Sequence, residues 1–389
     1  MHELGVAALY SAVDSQLTHY AVDVAAGTLD VGESVELPAK VQYAWPHPKN
    51  NILYVATSSG GPGVRSHRNQ VNAFLIASDG SLKPHGEPRL LPRRAVHLCV
   101  DPAGQYLLSA HNFEGGGLTV HKIAMDGKLG APLVQDSGLE YGIYPHQVMT
   151  FGSSNKVLIV DRGINPQSNK PEAPGALRSF GIESGKLTPG DVIAPSGGFG
   201  FGPRHVVFHP TQSWLYVSDE RMNKLRVFAV LDGRIEPEPA HVLETLADPD
   251  NVRPRQLAGP IQLHPNGRFL YVANRSDNGA ADGSSFQGGE NNIAVFEINN
   301  ETGTPTILQH ASTQSIHVRT FALDPSGRLL VAASIMALSV IEVGQTMHVP
   351  AALSVFKVGA DGTLSFLRRY DVETKGDQRQ YWAGIVKLV

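Results

Sequence analysis

Along the 389-residue chain, apolar residues come in short alternating or continuous runs that a glycine, a proline or an Asp-Gly turn ends before a helical period can establish itself. One pattern occurs seven times: an apolar strand-like segment with Phe, Tyr or His near its centre, then a turn glycine, usually with an apolar residue after it. The first copy is LTHYAVDVAAGTL from Leu17. It is followed by VNAFLIASDGSL, LTVHKIAMDGKL, LRSFGIESGKL, LRVFAVLDGRI, IAVFEINNETGTP and, from Leu353, LSVFKVGADGTL. Between Gly27 and Gly362 the turn glycines recur about every 56 residues, the spacing of a repeat architecture.

A second pattern lies between the copies: an apolar run, a Pro-x-Gly or similar turn, and another apolar run, as in VHLCVDPAGQYLLSAHN and RHVVFHPTQSWLYVSDE. Each unit is therefore two hairpins. Four antiparallel strands per unit, seven times, predict an all-β chain folded as one seven-bladed β-propeller domain over residues 1–389. The N-terminal unit supplies one hairpin, and the chain ends on the strand-like Tyr381 to Val389. The ring is expected to close with a blade built from both ends, which leaves no open sheet edge.

Composition fits this picture. The 40 glycines and 26 prolines punctuate the chain, and 42% hydrophobic residues exclude a disordered polymer. A net charge of −4 provides no basic patch, so neither nucleic acid nor an anionic membrane is an expected partner. No apolar run approaches the ~20 residues of a membrane span, and Met1-His2-Glu3-Leu4 lacks the basic start of a secretory signal. A soluble cytoplasmic protein, monomeric or a small homo-oligomer, is expected. Cys99 is the single cysteine; it excludes an intramolecular disulfide and a Cys-based zinc cluster, and within VHLCV it reads as a buried strand thiol.

With the strands of a blade lettered a to d outward from the channel, the start of a and the end of b share one face. Taking Pro48, Pro102, Gly152, Pro210, Pro265 and Pro325 as equivalent turn positions, the residues six before are Gln42, Val96, His146, Arg204, Gly259 and Arg319. Those ten after are Ser58, Asn112, Arg162, Glu220, Arg275 and Ile335. His146, Arg162, Arg204, Glu220, Arg275 and Arg319 thus converge on one mouth of the channel. Cations facing one another are costly unless an anion or Glu220 offsets them, so the cluster predicts a site for an anionic ligand. Asn112 and His317, two residues ahead of Arg319, are further candidates for substrate contact. His47, His209 and His264 precede the turn position and belong to the opposite face, where a structural role is expected. Alternation sends His205, and His97 with it, away from the mouth to pack between blades. Two b-to-c connections, GINPQSNKPEAPGA after Arg162 and SDNGAADGSSFQGGENN after Arg275, exceed hairpin needs and are expected to act as mobile lids. SGGFGFGPR, ahead of Arg204, offers backbone N–H groups without a following helix and is not a nucleotide loop.

The segments GPRHVVFHPTQSWLYVSDE, KLRVFAV and HPNGRFLYVANRSDN resemble the seven-bladed lactonase family, which contains bacterial propeller-type 6-phosphogluconolactonases and fungal 3-carboxy-cis,cis-muconate lactonizing enzyme. The resemblance covers almost the whole chain. It implies a site of one histidine, two arginines and a glutamate, carried here by His146 in YPHQV, Arg204 in GPRH, Glu220 in VSDE and Arg275 in VANR. The chain departs from the pattern in Gly152, which stands in place of a turn proline, and in its two long loops. Opening a lactone requires a base and positioned cations for the developing oxyanion. Either His146 or Glu220 can be the base, with His146 expected to titrate near neutrality. The arginines would hold the anionic group and the oxyanion.

The leading expectation is a lactonase of carbohydrate metabolism that needs no cofactor and no metal, acting on a small anionic sugar-acid lactone. The second is a carboxymuconate cycloisomerase, in which the same four residues add a carboxylate across a double bond. A divalent-metal lactonase is disfavoured because the two rings supply only Glu220 and Asn112 as oxygen ligands against four cations. A protein-binding scaffold is disfavoured by the charge cluster and the absence of WD dipeptides.

Overall fold

In the computed structural model, which describes residues 7–113, 115–152, 155–166, 168–276, 288–342 and 345–388, the sheets form seven blades around a channel. Blade 1 is the closing blade. Its innermost strand is the C-terminal Gln380–Lys387, and Ala7–Val13, Gln16–Asp23 and Thr28–Glu36 follow outward. The inner strands of blades 2 to 7 are Lys40–Pro46, Ala95–Val100, Pro145–Phe151, Pro203–Phe208, Leu257–Leu263 and Val318–Leu323. Three blades depart from four simple strands. In blades 2 and 5 the outer strand is broken into short pieces, Leu82–Pro84 with Arg89–Leu90 and Arg234–Ile235 with His241–Glu244. Blade 7 carries an extra hairpin, Leu338–Glu342 with Gln345–Val349, between its second and third strands.

The apolar core is divided among the blades. Each hydrophobic cluster draws on two neighbours, as Leu158, Phe180 and Val217 show for the interfaces around blade 4. Strand alternation produces this, because each face of a blade meets the next blade and both must be apolar. Buried tyrosines then cross the interfaces. Tyr10, Tyr54, Tyr216 and Tyr271 donate to the carbonyls of Gly80, Gly127, Gly303 and Gly362, the repeat glycines of the following blade, at 2.6 to 3.1 Å. The repeat glycine has two requirements. All seven have positive φ, and at Gly127 a Cβ would lie 1.9 Å from Ile52 Cδ1 of blade 2.

The turn histidines do the same at that face, opposite the mouth. His47, His209 and His264 hold the turn carbonyls Gly104, Gly267 and Gly327 of the next blade through Nε2, at 2.9 to 3.2 Å, while Nδ1 accepts backbone N–H groups of their own turns. That pattern fixes the neutral Nε2–H tautomer. Cys99 is buried, and burial pushes its thiol up to about 12, so it is an inert strand residue.

Candidate active site

Strict β alternation does not place the mouth side chains; a bulge in each blade does. Pairing of the inner strand with its neighbour slips by one residue at Gln42, Val96, His146, Arg204, Gly259-Pro260, Arg319 and Tyr381. An extra residue at a bulge re-aims a side chain that the pleat would otherwise direct elsewhere. The seventh member, Tyr381, belongs to the C-terminal strand, and the Arg319 guanidinium lies over its ring, 5.6 Å from the centroid.

The ends of the second strands work differently. The last strand residue points outward and is tied down, and the next turns into the mouth. Asp161 accepts from the backbone N–H groups of Ile143, Tyr144 and Gly163 and pairs with Arg178, and Asp219 likewise binds Gly202 N and Arg226. Arg162 and Glu220 follow them. Arg275 closes its strand directly, behind an Asn274 that bonds Thr245 O and Asn292 Oδ1.

Glu220, 3% exposed, is the centre of the cluster. Its Oε2 receives Arg162 Nε, and its Oε1 receives Arg275 Nη2. Arg204 Nε lies 3.2 Å from Oε1 but off the hydrogen-bond direction. Burial pushes the Glu220 carboxyl up, yet Arg162, Arg275 and Arg204 together outweigh burial and hold it far below the carboxylate range. Arg275, also buried, is lowered to about 10, first by burial, and its Nε and Nη1 have no acceptor. Three buried donors around one ionised carboxylate are therefore free to meet an oxygen of a bound molecule.

Three histidines run from this cluster into the channel. The His146 and His205 rings are 5.2 Å apart and edge-on, and His205 to His97 is 5.8 Å. Arg204 Nη1 donates to His205 Nδ1 at 2.7 Å, which leaves His205 neutral because a guanidinium only donates. His205 and His97 thus face the channel rather than the space between blades. The cause is the bulge, which adds a residue and reverses the parity that strict alternation assigns them. Below them lies a cavity of about 530 Å³ lined by Tyr43, Trp45, Met149, Phe321 and Trp382 among others. His146 does not titrate near neutrality: burial, followed by Arg204, His205, Arg319 and Arg162, lowers it well below 6.5. His317 is also buried at the mouth and lowered by burial and Arg275. Its backbone is in the left-handed region at φ 59°, and Nδ1 donates to Ser276 O at 2.7 Å.

Arg94 and Tyr144 escaped the register but belong to the mouth. Arg94, 2% exposed, donates from Nε to Gln42 Oε1 at 2.6 Å and from Nη1 to Asn112 Oδ1 at 3.2 Å. The Arg162 guanidinium lies 5.6 Å from the Tyr144 ring centroid. Both residues stand two positions before a bulge residue, the place His317 occupies in blade 7. The loop after Arg162 is bonded down: Glu172 binds Arg221 and accepts from Gly200 N at 2.8 Å, and Ile164 pairs with Ala173. Residues 277–287 of the other long loop lie outside the described residues. The glycine-rich segment ahead of Arg204 spends its N–H groups internally, Gly200 N on Glu172 and Gly202 N on Asp219. Among the described residues no group of three or more His, Cys, Asp or Glu is placed to hold a metal ion.

Comparison with known proteins agrees with this architecture. The chain is 28% identical to 6-phosphogluconolactonase of Serratia proteamaculans over 337 residues, 86% of this chain and 90% of that protein. Identity to 6-phosphogluconolactonase of Bacillus subtilis is 28% over 305 residues, 75% and 76% of the two chains. Among solved structures, Pseudomonas aeruginosa periplasmic gluconolactonase superposes with a TM-score of 0.69 at 18% identity, over 95% of this chain and 98% of that one. The family described as "Lactonase, 7-bladed beta-propeller" matches residues 5–340, and the chain belongs to that family.

Proposed function

We propose that the protein is a lactonase that hydrolyses a small anionic sugar-acid lactone at the channel mouth where Glu220 and the arginines meet. The observation that carries this is the set of buried, unpartnered donors on Arg275 and Arg204 beside an ionised Glu220. Such donors stabilise charge that develops on a carbonyl oxygen, and their preorganisation in a buried site makes them effective. Kinship with 6-phosphogluconolactonases supports an anionic sugar lactone as substrate.

His146 serves best as base. Its imidazole is neutral at pH 7 and carries a lone pair, whereas both oxygens of Glu220 are engaged by arginines that depress their basicity. In the reaction His146 takes a proton from water as the oxygen attacks the lactone carbonyl. Arg275 and Arg204 hold the oxyanion, and the ring C–O bond breaks on collapse. The proton on His146 passes to the departing ring oxygen, leaving a hydroxy acid and a neutral imidazole. Glu220 remains ionised throughout as the counter-ion that fixes the guanidinium geometry. His205, bonded to Arg204, positions that arginine.

The test is hydrolysis of 6-phosphogluconolactone and gluconolactone by the purified chain, followed by acid release, with His146→Ala as control. Turnover of either lactone, lost in the variant, supports the assignment. A wild type that opens neither lactone but converts a carboxymuconate would transfer the protein to cycloisomerase chemistry.

A further inference from the structure

Below the three histidines the channel changes character. The cavity of about 530 Å³ runs from His97 and His205 to Leu323 and Val386, near the far ends of their inner strands, and to the exposed Pro48 in the turn of blade 2. It therefore faces the side of the propeller opposite the mouth. Among the described residues its wall contains no Asp, Glu, Lys or Arg, whereas the mouth is crowded with arginines.

The wall is aromatic. The Tyr43 ring centroid lies 4.1 Å from that of His97, 6.2 Å from Trp382 and 6.5 Å from Trp45. Gly384 leaves room for the Trp382 indole along its own strand, since a Cβ there would come within 2.4 Å of Cζ2. The polar lining residues are almost all engaged. Gln147 bonds Val206 N and O, Gln262 bonds Leu323 N and Phe321 O, and Thr320 Oγ1 accepts from Ala383 N, each bridging neighbouring blades. Arg204 occupies His205 Nδ1. His97 differs. It is 1% exposed, and neither ring nitrogen has a hydrogen-bond partner. Buried polar groups are normally satisfied, so an exception calls for a partner from outside the chain. Burial, followed by the Arg204 charge, lowers the His97 pKa to about 3, which leaves a neutral ring with one donor and one acceptor.

We propose that this cavity is a second binding site, entered from the face opposite the mouth, for a neutral flat aromatic molecule whose hydroxyl pairs with His97. The tryptophans, Tyr43 and Phe321 offer ring faces and edges to such a molecule. A hydroxyl both donates and accepts, as neutral imidazole does. An ion would lose its hydration here without a counter-charge in the wall. The volume falls within the range of about 300 to 1,000 Å³ of small-molecule sites. The site stands apart from the lactonase reading, because none of the reacting residues lines it.

The test uses naphthalene, 2-naphthol and 2-naphthoate, one skeleton that is apolar, hydroxylated or anionic at pH 7. Equilibrium dialysis with the full chain counts the bound molecules, and quenching of tryptophan emission locates them, since Trp45 and Trp382 are two of the three tryptophans. One 2-naphthol per chain is expected, with a Kd of about 0.1 mM or tighter and at least about 10-fold tighter than 2-naphthoate. Met149→Trp and Leu323→Trp each fill the cavity and should weaken 2-naphthol binding at least about 10-fold, with circular dichroism unchanged. His97→Phe keeps a ring and should abolish the preference for 2-naphthol over naphthalene. Absence of saturable 2-naphthol binding overturns the site, as does binding that both folded tryptophan variants retain. Binding of 2-naphthoate as tight as that of 2-naphthol overturns the neutral chemistry, and a preference for the hydroxyl that survives His97→Phe overturns the pairing with His97.

Discussion

Replacing Glu220 with Gln keeps the shape of the side chain and removes the one charge that Arg162, Arg204 and Arg275 share. Glu220 and Arg275 are 3% and 2% exposed, so water cannot take over the lost role. Removing one partner of a buried ion pair costs about 3 to 5 kcal/mol, because the remaining charge is left uncompensated. With an unfolding entropy of roughly 2.1 cal/mol/K per residue, a chain of 389 residues has about 0.8 kcal/mol/K, so Tm should fall by about 4 to 6 °C. The sign with pH follows from the depressed Glu220 carboxyl. Its contribution is complete above the unfolded value of about 4.3 and is lost as pH falls through the lower folded value, where the two proteins should converge. An added anion can occupy the vacated charge position, so phosphate should raise the Tm of Glu220→Gln more than that of the wild type. Scanning calorimetry at pH 7, in phosphate-free buffer and with phosphate, reads both effects. A variant that melts within 1 °C of the wild type, with no larger response to phosphate, would refute the view that Glu220 is the counter-ion of a cation ring.

Three further outcomes are expected. Arg275→Ala should lose about 2 to 4 kcal/mol of transition-state stabilisation, read as kcat/KM on a lactone the wild type hydrolyses; an unchanged value removes Arg275 from the reacting centre. Because His146 is lowered well below 6.5, the acidic limb of the kcat/KM profile should lie below that pH and move in His146→Ala. A limb near neutrality that survives the substitution points to another base. Activity should persist after exhaustive EDTA treatment, since Glu220 amid arginines is a poor ligand set for a cation, and loss restored by Ca²⁺ would contradict this.

The blade count was legible because every repeat glycine has a positive φ, and six of the seven, all but Gly233, are also closely approached by the preceding blade. Ring closure could be read from the unpaired first hairpin and the terminal strand. The mouth cluster was reached by counting from turn prolines, and that count works through the bulges because every blade has one at the same place. An insertion common to all repeats cancels in an alignment of repeats against one another. It does not cancel when strict alternation is applied within a single strand, and His205 and His97 were misdirected for that reason.

Arg94 and Tyr144 were missed for a different cause. The residue two before each ring position, just ahead of the inner strand, also reaches the mouth, as Arg94, Tyr144 and His317 do. In blade 7 that residue is His317, two before Arg319. Applied evenly, the same step reaches Arg94 and Tyr144. Tyr381 had no such route, because its strand pairs with the N-terminal strand and no turn proline precedes that partner to count from. Arg94 adds a cation to the ring, and Tyr144 and Tyr381 give Arg162 and Arg319 their ring partners. Blades 4 to 6 already set three arginines against the one carboxylate of Glu220, and Arg94 and Arg319 extend that cationic surface around the mouth.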